Sequence, residues 1–198
     1  MSKKDNTTLS QKVRLRKCAM AEIQDPVVLE THGGKGEVWK YCYSRLPRGH
    51  SIDTDGDKVD ARARSAPHWC VYQGHSLHLL RNGIVAAVGA NFIDIDPYGD
   101  PWEFIGALFE AELPKVVAVV VNDGLRTKLK IGGGWDVESM QEEVLKYGNQ
   151  AILGSYLEIC HEKMGKTAAQ RGYTLRRWEG WYCGHAKMMT HYSAIVSR

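Results

Sequence analysis

The feature that most constrains how this chain folds is the alternation of short apolar runs with helical patterns. The apolar runs predict five strands, at residues 27–29, 51–52, 69–72, 92–95 and 116–121. The last of these runs contains only Val and Ala, which is typical of a strand that is covered on both faces. Because helical patterns separate the runs, the sequence predicts a doubly wound α/β domain with a mostly parallel sheet.

The C-terminal part of the chain departs from this alternation. Two more strands are predicted at 174–178 and 188–197, joined through Glu179, Gly180 and Trp181. Two strands with so short a connection form an antiparallel pair. The sequence therefore predicts a Rossmann-like sheet of seven strands that ends in an antiparallel C-terminal pair.

Helical patterns occupy most of the chain between the predicted strands. They fall at 9–23, 37–45, 76–81 and 136–163, and a further helix begins after the strand at 92–95. Asp100 is a candidate N-cap of this helix, Pro101 suits its first position, and Glu103 completes an arrangement like a capping box.

Composition limits the class of protein. The chain has 198 residues, 43% of them hydrophobic, which is enough for one domain with a substantial core. No apolar run approaches the roughly 20 residues of a membrane-spanning helix, and the first residues lack the apolar stretch of a secretory signal, so we expect a cytoplasmic protein without a membrane partner. The five cysteines include no C-x-x-C pair, and we expect neither disulfides nor a bound metal.

Charge is distributed unevenly along the chain. Residues 1–20 and 161–198 each carry a net charge of +5, so the remainder carries −7. The basic side chains near the N-terminus include Lys12, Arg14, Arg16 and Lys17. We expect residues 1–24 to form a basic helical extension ahead of a domain at 25–198. Basic ends can hold a polyanion beside an acidic cofactor pocket, although such runs are more often solvated surface.

A glycine-rich loop follows the first strand, at the edge of the sheet where ligands bind in doubly wound folds. It runs Glu30-Thr31-His32-Gly33-Gly34-Lys35-Gly36, and Asp53 lies 19 residues after Gly34. That spacing is close to the one at which a carboxylate receives a ribose diol, which predicts a cofactor that contains a nucleoside. A tight strand-to-helix turn with no ligand is the alternative.

Two phosphate-binding motifs fail in this loop. Trp39 stands where the third glycine of G-x-G-x-x-G would be, and Gly36 replaces the Ser or Thr of a P-loop. A cofactor without a pyrophosphate therefore fits better than NAD or ATP.

The loop resembles the first motif of the class I S-adenosylmethionine-dependent methyltransferases, in which an acidic residue precedes spaced glycines. Glu30-x-His32-x-Gly34-x-Gly36 matches that motif with His32 in the place of its first glycine. The resemblance implies S-adenosylmethionine as cofactor, bound at its methionine end by Glu30 and the backbone from Gly33 to Gly36, and at its ribose by Asp53. It also assigns His32, His75 and Asp94 to the cofactor site, with His75 at the adenine.

A second motif follows the strand at 92–95. Asp94-Ile95-Asp96-Pro97-Tyr98-Gly99 is similar to the D/N/S-P-P-Y/F motif of methyltransferases that act on exocyclic amino groups, and closer to the D-x-D-P-F-G segment of tRNA guanine-N2 dimethyltransferases. The resemblance implies catalytic roles for Asp96, Pro97 and Tyr98. Asp96 and the Pro97 carbonyl can accept hydrogen bonds from an amino group, while Tyr98 stacks on the base.

These motifs predict an enzyme that methylates a nucleobase amino group in RNA or DNA. The second proline of the motif is absent, and Gln73-Gly74-His75-Ser76 lacks the acidic residue that often follows the third strand. Arg176, Arg177 and Trp178 combine cations with an aromatic face and are candidate nucleic-acid contacts, although Trp178 would equally suit a covered sheet edge. A small-molecule or protein substrate, and an inactive cofactor-binding scaffold, are the alternative functions.

Overall fold

The computed structural model describes residues 8–131 and 137–198. Seven strands form one sheet: β1 (Val28–Glu30), β2 (Gly49–Asp53), β3 (Cys70–Gln73), β4 (Phe92–Ile95), β5 (Val116–Asp123), β6 (Thr174–Cys183) and β7 (Met189–Ser197). Their order across the sheet is β3-β2-β1-β4-β5-β7-β6. β1 pairs in parallel with β2 and β4, β2 with β3, and β4 with β5, while β7 runs antiparallel to both β5 and β6. The predicted doubly wound, mostly parallel sheet with an antiparallel C-terminal pair is confirmed.

Ten α-helices lie in the described residues: α1 (Leu9–Met20), α2 (Glu37–Cys42), α3 (Gly56–Ser65), α4 (Ser76–Arg81), α5 (Ile84–Val88), α6 (Trp102–Glu110), α7 (Leu125–Ile131), α8 (Gln141–Tyr147), α9 (Asn149–Gly154) and α10 (Tyr156–Ala169). Short 3-10 turns cover Glu138–Met140 and His185–Lys187. No helix in the described ranges is long and apolar enough to cross a membrane.

The sheet separates two hydrophobic cores because successive strand residues point to opposite faces. One core contains Ile93 and Ile95 from β4, which pack with side chains of α6 and α10. The other contains Phe92 from β4, together with Leu15 and Ala19 of α1 and Trp39 of α2. Helix α1 therefore contributes fully buried side chains to the core of the sheet.

Three helices are absent from the predicted pattern, namely α3, α5 and α7. Helix α3 is capped by Asp55, whose carboxylate accepts hydrogen bonds from the backbone N–H groups of Asp57 and Lys58. Its sequence is rich in charged residues and buries Arg62, so it lacks the apolar stripe by which helices are recognised. The short helix α5 lies between two left-handed glycines, Gly83 and Gly89.

The predicted connection between the last two strands is wrong. Glu179, Gly180 and Trp181 lie within β6 and pair with β7, and the turn is formed instead by residues 184–188. Gly180 is required by packing, because a Cβ there would lie 2.7 Å from Leu157 Cδ2 and 3.1 Å from Tyr192 Cβ. The sequence pattern therefore predicts a turn at Gly180, whereas this glycine makes room for Leu157 of helix α10.

The long predicted helix at 136–163 is interrupted. Gly148, with φ +77°, separates α8 from α9, and α10 continues to Ala169. Asp136, the first residue of the prediction, lies outside the described residues. Asp100 does act at the start of α6, since its Oδ1 accepts a hydrogen bond from the Trp102 N–H at 2.8 Å.

Candidate functional site

The glycine loop joins β1 to α2 and passes close to two other elements. A Cβ at Gly33 would overlap the Ser51 hydroxyl on β2, and Gly36 adopts φ +82° above the Arg62 guanidinium. The Gly34 N–H donates to Asp53 Oδ2 at 3.0 Å, which ties the loop to the end of β2. No atom lies within 4 Å of where a Gly34 Cβ would be, so this part of the loop faces open space.

A cavity of about 250 Å³, here called the glycine-loop cavity, opens beyond the ends of β1 and β4. Its lining includes residues of the glycine loop, the carboxylates of the two strand ends and the first turn of α1: Glu30, His32, Gly33, Gly34, Asp94, Asp96, Thr8, Leu9 and Lys12. The structure thus brings the candidate catalytic carboxylate to the predicted methionine end of the cofactor.

A second cavity of about 390 Å³, here called the Tyr98 cavity, lies beyond the ends of β2 and β4. It is lined by predicted site residues, Asp53, His75, Pro97 and Tyr98, and also by Ser76, Phe104 and Lys128. His32 lines both cavities, and its ring meets the Phe104 ring edge-on with 4.8 Å between centroids. Burial lowers the pKa of His32. The imidazole between the two cavities is therefore neutral at pH 7.

Glu30, at the end of β1, forms a buried ion pair with Arg62 of α3. The guanidinium lies over the rings of Trp39, at 4.5 Å, and Trp69, at 5.0 Å. Burial raises the pKa of Glu30 to about 8, and Arg62 opposes that rise. Arg62 was missed by sequence reasoning, since only the N-cap at Asp55 marks the helix that carries it.

Asp94, within β4, is held by protein groups on both carboxylate oxygens. Arg16 of α1 donates to Oδ2 at 2.7 Å and to Oδ1 at 2.5 Å, and the Tyr43 hydroxyl donates to Oδ2 at 2.8 Å. Arg16 and Tyr43 are fully buried and Asp94 is nearly so. Asp94 therefore lines the cavity with its carboxylate already satisfied, and Arg16 does not face solvent as a phosphate contact would.

Asp96, two residues further on, has a different partner. Lys12 Nζ lies 3.0 Å from Oδ2 and 3.3 Å from Oδ1, and both side chains are partly exposed. Burial raises the pKa of Asp96, but the positive charges of Lys12 and Arg16 outweigh this effect, so the net pKa is lowered. Asp96 is thus an ionised carboxylate at neutral pH. Lys12 and Asp96 are 84 residues apart in sequence, so no local sequence pattern predicts their contact.

The turn after Asp96 presents Tyr98 to solvent. The Tyr98 side chain is fully exposed, and the Pro97 carbonyl accepts a hydrogen bond from the Gly99 N–H at 3.0 Å. The Gly99 carbonyl accepts from the Gly124 N–H at 2.9 Å, which fixes the turn against the segment that follows β5. The Tyr98 ring is therefore free to stack on a ligand, while its backbone is held.

The candidate nucleic-acid contacts on β6 lie elsewhere. Thr174, at the start of β6, pairs with Ser197, which in turn pairs with Val116 at the start of β5. Arg176 and Arg177 lie two and three residues after Thr174, and so toward the amino ends of the parallel strands, opposite the cavities. The structure does not bring them together with the glycine loop.

Each of these β6 side chains already has a protein partner. Arg176 Nε donates to Ser197 Oγ at 2.7 Å, and Arg177 forms an ion pair with Glu22. Trp178 stacks on Tyr192 with 4.9 Å between ring centroids. The partners account for all three residues without a ligand.

The fold of this chain occurs in other solved structures. No family model and no curated protein sequence matches the chain. The chain is similar to the crystal structure of TYW2 from M. jannaschii in complex with AdoMet, at a TM-score of 0.61 and 12% identity, covering 100% of this chain and 78% of that one. The chain has the Rossmann-like fold that this AdoMet complex shows.

Two further structures share the fold. For Trm1 from Pyrococcus horikoshii with S-adenosyl-L-methionine the TM-score is 0.66 at 13% identity, and the match covers 97% of this chain but 54% of Trm1. For the plantazolicin methyltransferase BamL, in complex with a triazolic desmethylPZN analog and SAH, the TM-score is 0.58 at 12% identity. This match covers 98% of this chain and 85% of BamL. The chain thus spans about half the length of Trm1 and most of BamL.

Proposed function

We propose that this protein is an S-adenosylmethionine-dependent methyltransferase that modifies an exocyclic amino group of a nucleobase in RNA or DNA. The observation that carries the proposal is the placement of the Asp96-Pro97-Tyr98 turn. Asp96 lines the glycine-loop cavity, whereas Pro97 and Tyr98 line the Tyr98 cavity on the other side of His32. A hydrogen-bond acceptor and an exposed ring therefore flank a cofactor that would span both cavities, with its methionine end beside Asp96 and its nucleoside beside Asp53 and His75.

The residues present fit this cofactor. The open space beside Gly34 admits the amino-acid end, and Asp53 at the end of β2 faces the Tyr98 cavity, as a ribose contact must. Asp53 already accepts the Gly34 and Asp55 N–H groups. An ionised carboxylate has about four lone-pair sites, so two remain for a ribose diol. Three solved structures of this fold hold AdoMet or SAH.

The cofactor supplies an electrophilic methyl group, and the protein's part is to position the acceptor nitrogen. The ionised Asp96 accepts an N–H of the target amino group, which aims the nitrogen lone pair at the methyl. Tyr98 stacks on the base from its exposed position. Transfer would then be a direct displacement without a covalent enzyme intermediate, in which the N–C bond forms as the S–C bond breaks, S-adenosylhomocysteine leaves, and the proton lost by the amino nitrogen is released to water.

A small molecule is the second candidate substrate. BamL, which shares the fold, was solved with a triazolic desmethylPZN analog. The position of Arg176 and Arg177, away from both cavities, leaves the basic C-terminal segment without a role beside the site. Substrate class is therefore the question that the experiment must decide.

The first experiment compares thermal unfolding with S-adenosylmethionine, S-adenosylhomocysteine, NAD and ATP. We expect stabilisation by the two adenosyl compounds alone, since a ligand that binds the folded state stabilises it by RT ln(1 + [L]/Kd). A larger shift with NAD would remove the cofactor assignment.

The second experiment offers methyl-labelled cofactor with structured RNA, single strands and duplex DNA, followed by mass spectrometry of the nucleosides. We expect an N-methylated base, and loss of product in Asp96→Asn. Cofactor binding without transfer to any nucleic acid would favour the small-molecule substrate or an inactive scaffold.

A further inference from the structure

Lys12 stands between the glycine-loop cavity and the candidate catalytic carboxylate. Its Nζ contacts both oxygens of Asp96, at 3.0 and 3.3 Å, and the residue also lines the cavity with Thr8 and Leu9 of the same helical end. The Lys12 side chain is 21% exposed and that of Asp96 is 29% exposed. The ion pair is therefore open on the side of the cavity and can be approached by a ligand.

Helix α1 fixes the position from which Lys12 acts. One turn later, Arg16 is fully buried and binds Asp94 through two hydrogen bonds, and its Nη1 donates to the Lys12 carbonyl at 3.1 Å. The Lys12 backbone is thus held at the mouth of the cavity. Its side chain ends in a compact ammonium on a flexible stem, which can change partner without movement of the helix.

The charges around the cavity make Lys12 the suitable partner for an anionic ligand group. The carboxylates of Glu30 and Asp94 line the cavity, but each has its own buried arginine partner. The two arginines are committed to these carboxylates, so an added carboxylate would find its cation in the ammonium of Lys12. Lys35 also lines the cavity but is exposed, so water screens it more than the partly buried Lys12.

We infer that Lys12 binds the carboxylate of the cofactor's amino-acid end and, in doing so, gives up part of its contact with Asp96. Cofactor binding then frees Asp96 to accept the target amino group, so that the acceptor site becomes competent once the methyl donor is in place. Lys12 is a cofactor-binding residue that also controls a catalytic one. This inference rests on the proposed function.

The test compares S-adenosylmethionine with decarboxylated S-adenosylmethionine, which lacks the carboxylate alone. In isothermal titration calorimetry the wild-type protein should bind the intact cofactor about tenfold to a hundredfold more tightly, the range for a hydrogen bond between charged groups. In Lys12→Met the ratio of the two dissociation constants should fall to near one. Lys12→Arg should keep most of the wild-type ratio.

Lys17→Met is the matched control, since it removes the same charge from an exposed position of the same helix. It should keep the wild-type ratio. Because a ratio of two ligands cancels general damage to the site, a structural role of Lys12 would leave it unchanged. A wild-type ratio near one would overturn the inference without any variant, and an unaltered ratio in Lys12→Met would do the same.

A separate measurement tests whether Lys12 exchanges Asp96 for the cofactor carboxylate. In Asp96→Asn, Lys12 loses its ionic partner, so intact S-adenosylmethionine should bind up to about fivefold more tightly, the strength of a partly exposed ion pair. The affinity of the decarboxylated compound should not change. An equal change for both compounds would exclude the exchange. If the wild-type protein binds no adenosyl compound, the proposed function fails, and this inference with it.

Discussion

Two carboxylates of the same strand end, Asp94 and Asp96, are both paired with cations of helix α1, yet the two pairs differ in kind. Asp94 meets Arg16 through two hydrogen bonds in a site where both side chains are almost fully buried. Asp96 meets Lys12 at the wall of a cavity, with both side chains partly exposed. The buried pair attaches the helix to the sheet, whereas the exposed pair leaves a carboxylate and an ammonium available to ligands.

The largest expected effect tests the buried pair. Arg16→Met leaves the Asp94 carboxylate without its cation in the core, and we expect a loss of about 3–5 kcal/mol in the free energy of unfolding, measured by urea denaturation. Arg14→Met is the control. Arg14 is exposed over the Trp181 ring at 5.3 Å, so its loss should cost about 1 kcal/mol or less. A loss with Arg16→Met no larger than the loss with Arg14→Met would contradict the structural role of the buried pair.

The next effect tests the exposed pair by its chemistry. Asp96→Asn keeps the shape of the side chain but removes the charge that accepts the target N–H, and we expect kcat for methyl transfer to fall about a hundredfold. Binding of S-adenosylhomocysteine should not weaken. A variant that loses cofactor binding as well would place Asp96 in the cofactor site instead of the acceptor site.

A smaller effect is expected two residues away, at Tyr98. Tyr98→Ala should weaken binding of the nucleobase substrate by roughly 1–3 kcal/mol, seen as a raised KM, because the stacking ring is lost. Since the ring is fully exposed, stability should hardly change. Tyr98→Phe keeps the ring face and should keep most activity, and a dead Tyr98→Phe would indicate proton chemistry at the hydroxyl.

The smallest effect concerns acid stability. The folded-state pKa of Asp96 is lowered from its ordinary 3.8, so its ion pair stabilises the protein above about pH 4 and this stabilisation is lost as the pH falls through the folded-state value. Lys12→Met should cost about 1 kcal/mol or less near pH 7 and should reduce the further loss between pH 4 and 2. Urea denaturation across that range, compared with Lys17→Met, measures both. A loss at pH 7 as large as that of Arg16→Met would make the Lys12 pair structural.

The Arg16–Asp94 and Lys12–Asp96 pairs also show which contacts could not be predicted from the sequence. The glycine loop and the turn at Asp96 are local patterns placed after apolar strands, so their position at the carboxyl edge follows from the topology alone. Arg16 and Lys12 act on residues 78 and 84 positions away, and nothing near them in sequence distinguishes the buried cation from the exposed one. In sequence, both are simply basic residues of the predicted N-terminal extension.

Other differences have equally specific causes. Helix α3 is rich in charged residues and buries Arg62 instead of an apolar side chain. It therefore lacks the apolar periodicity by which a helix is predicted from sequence. Gly180 lies inside a strand because Leu157 needs its space, and a glycine of that kind is indistinguishable in sequence from a turn glycine. The mostly parallel sheet and its antiparallel C-terminal pair depend on repeated patterns along the chain, and these predictions are confirmed.

The contact between Gly99 and Gly124 has a consequence for how this site can diverge. A Cβ at Gly124 would lie 3.2 Å from Gly99 Cα, so any side chain at position 124 pushes on the backbone that carries Tyr98. Gly124 lies in the connection that follows β5, and it lines neither the glycine-loop cavity nor the Tyr98 cavity. A larger residue at position 124 would therefore need a matching change in the turn that carries Tyr98, which couples the loops beyond β4 and β5.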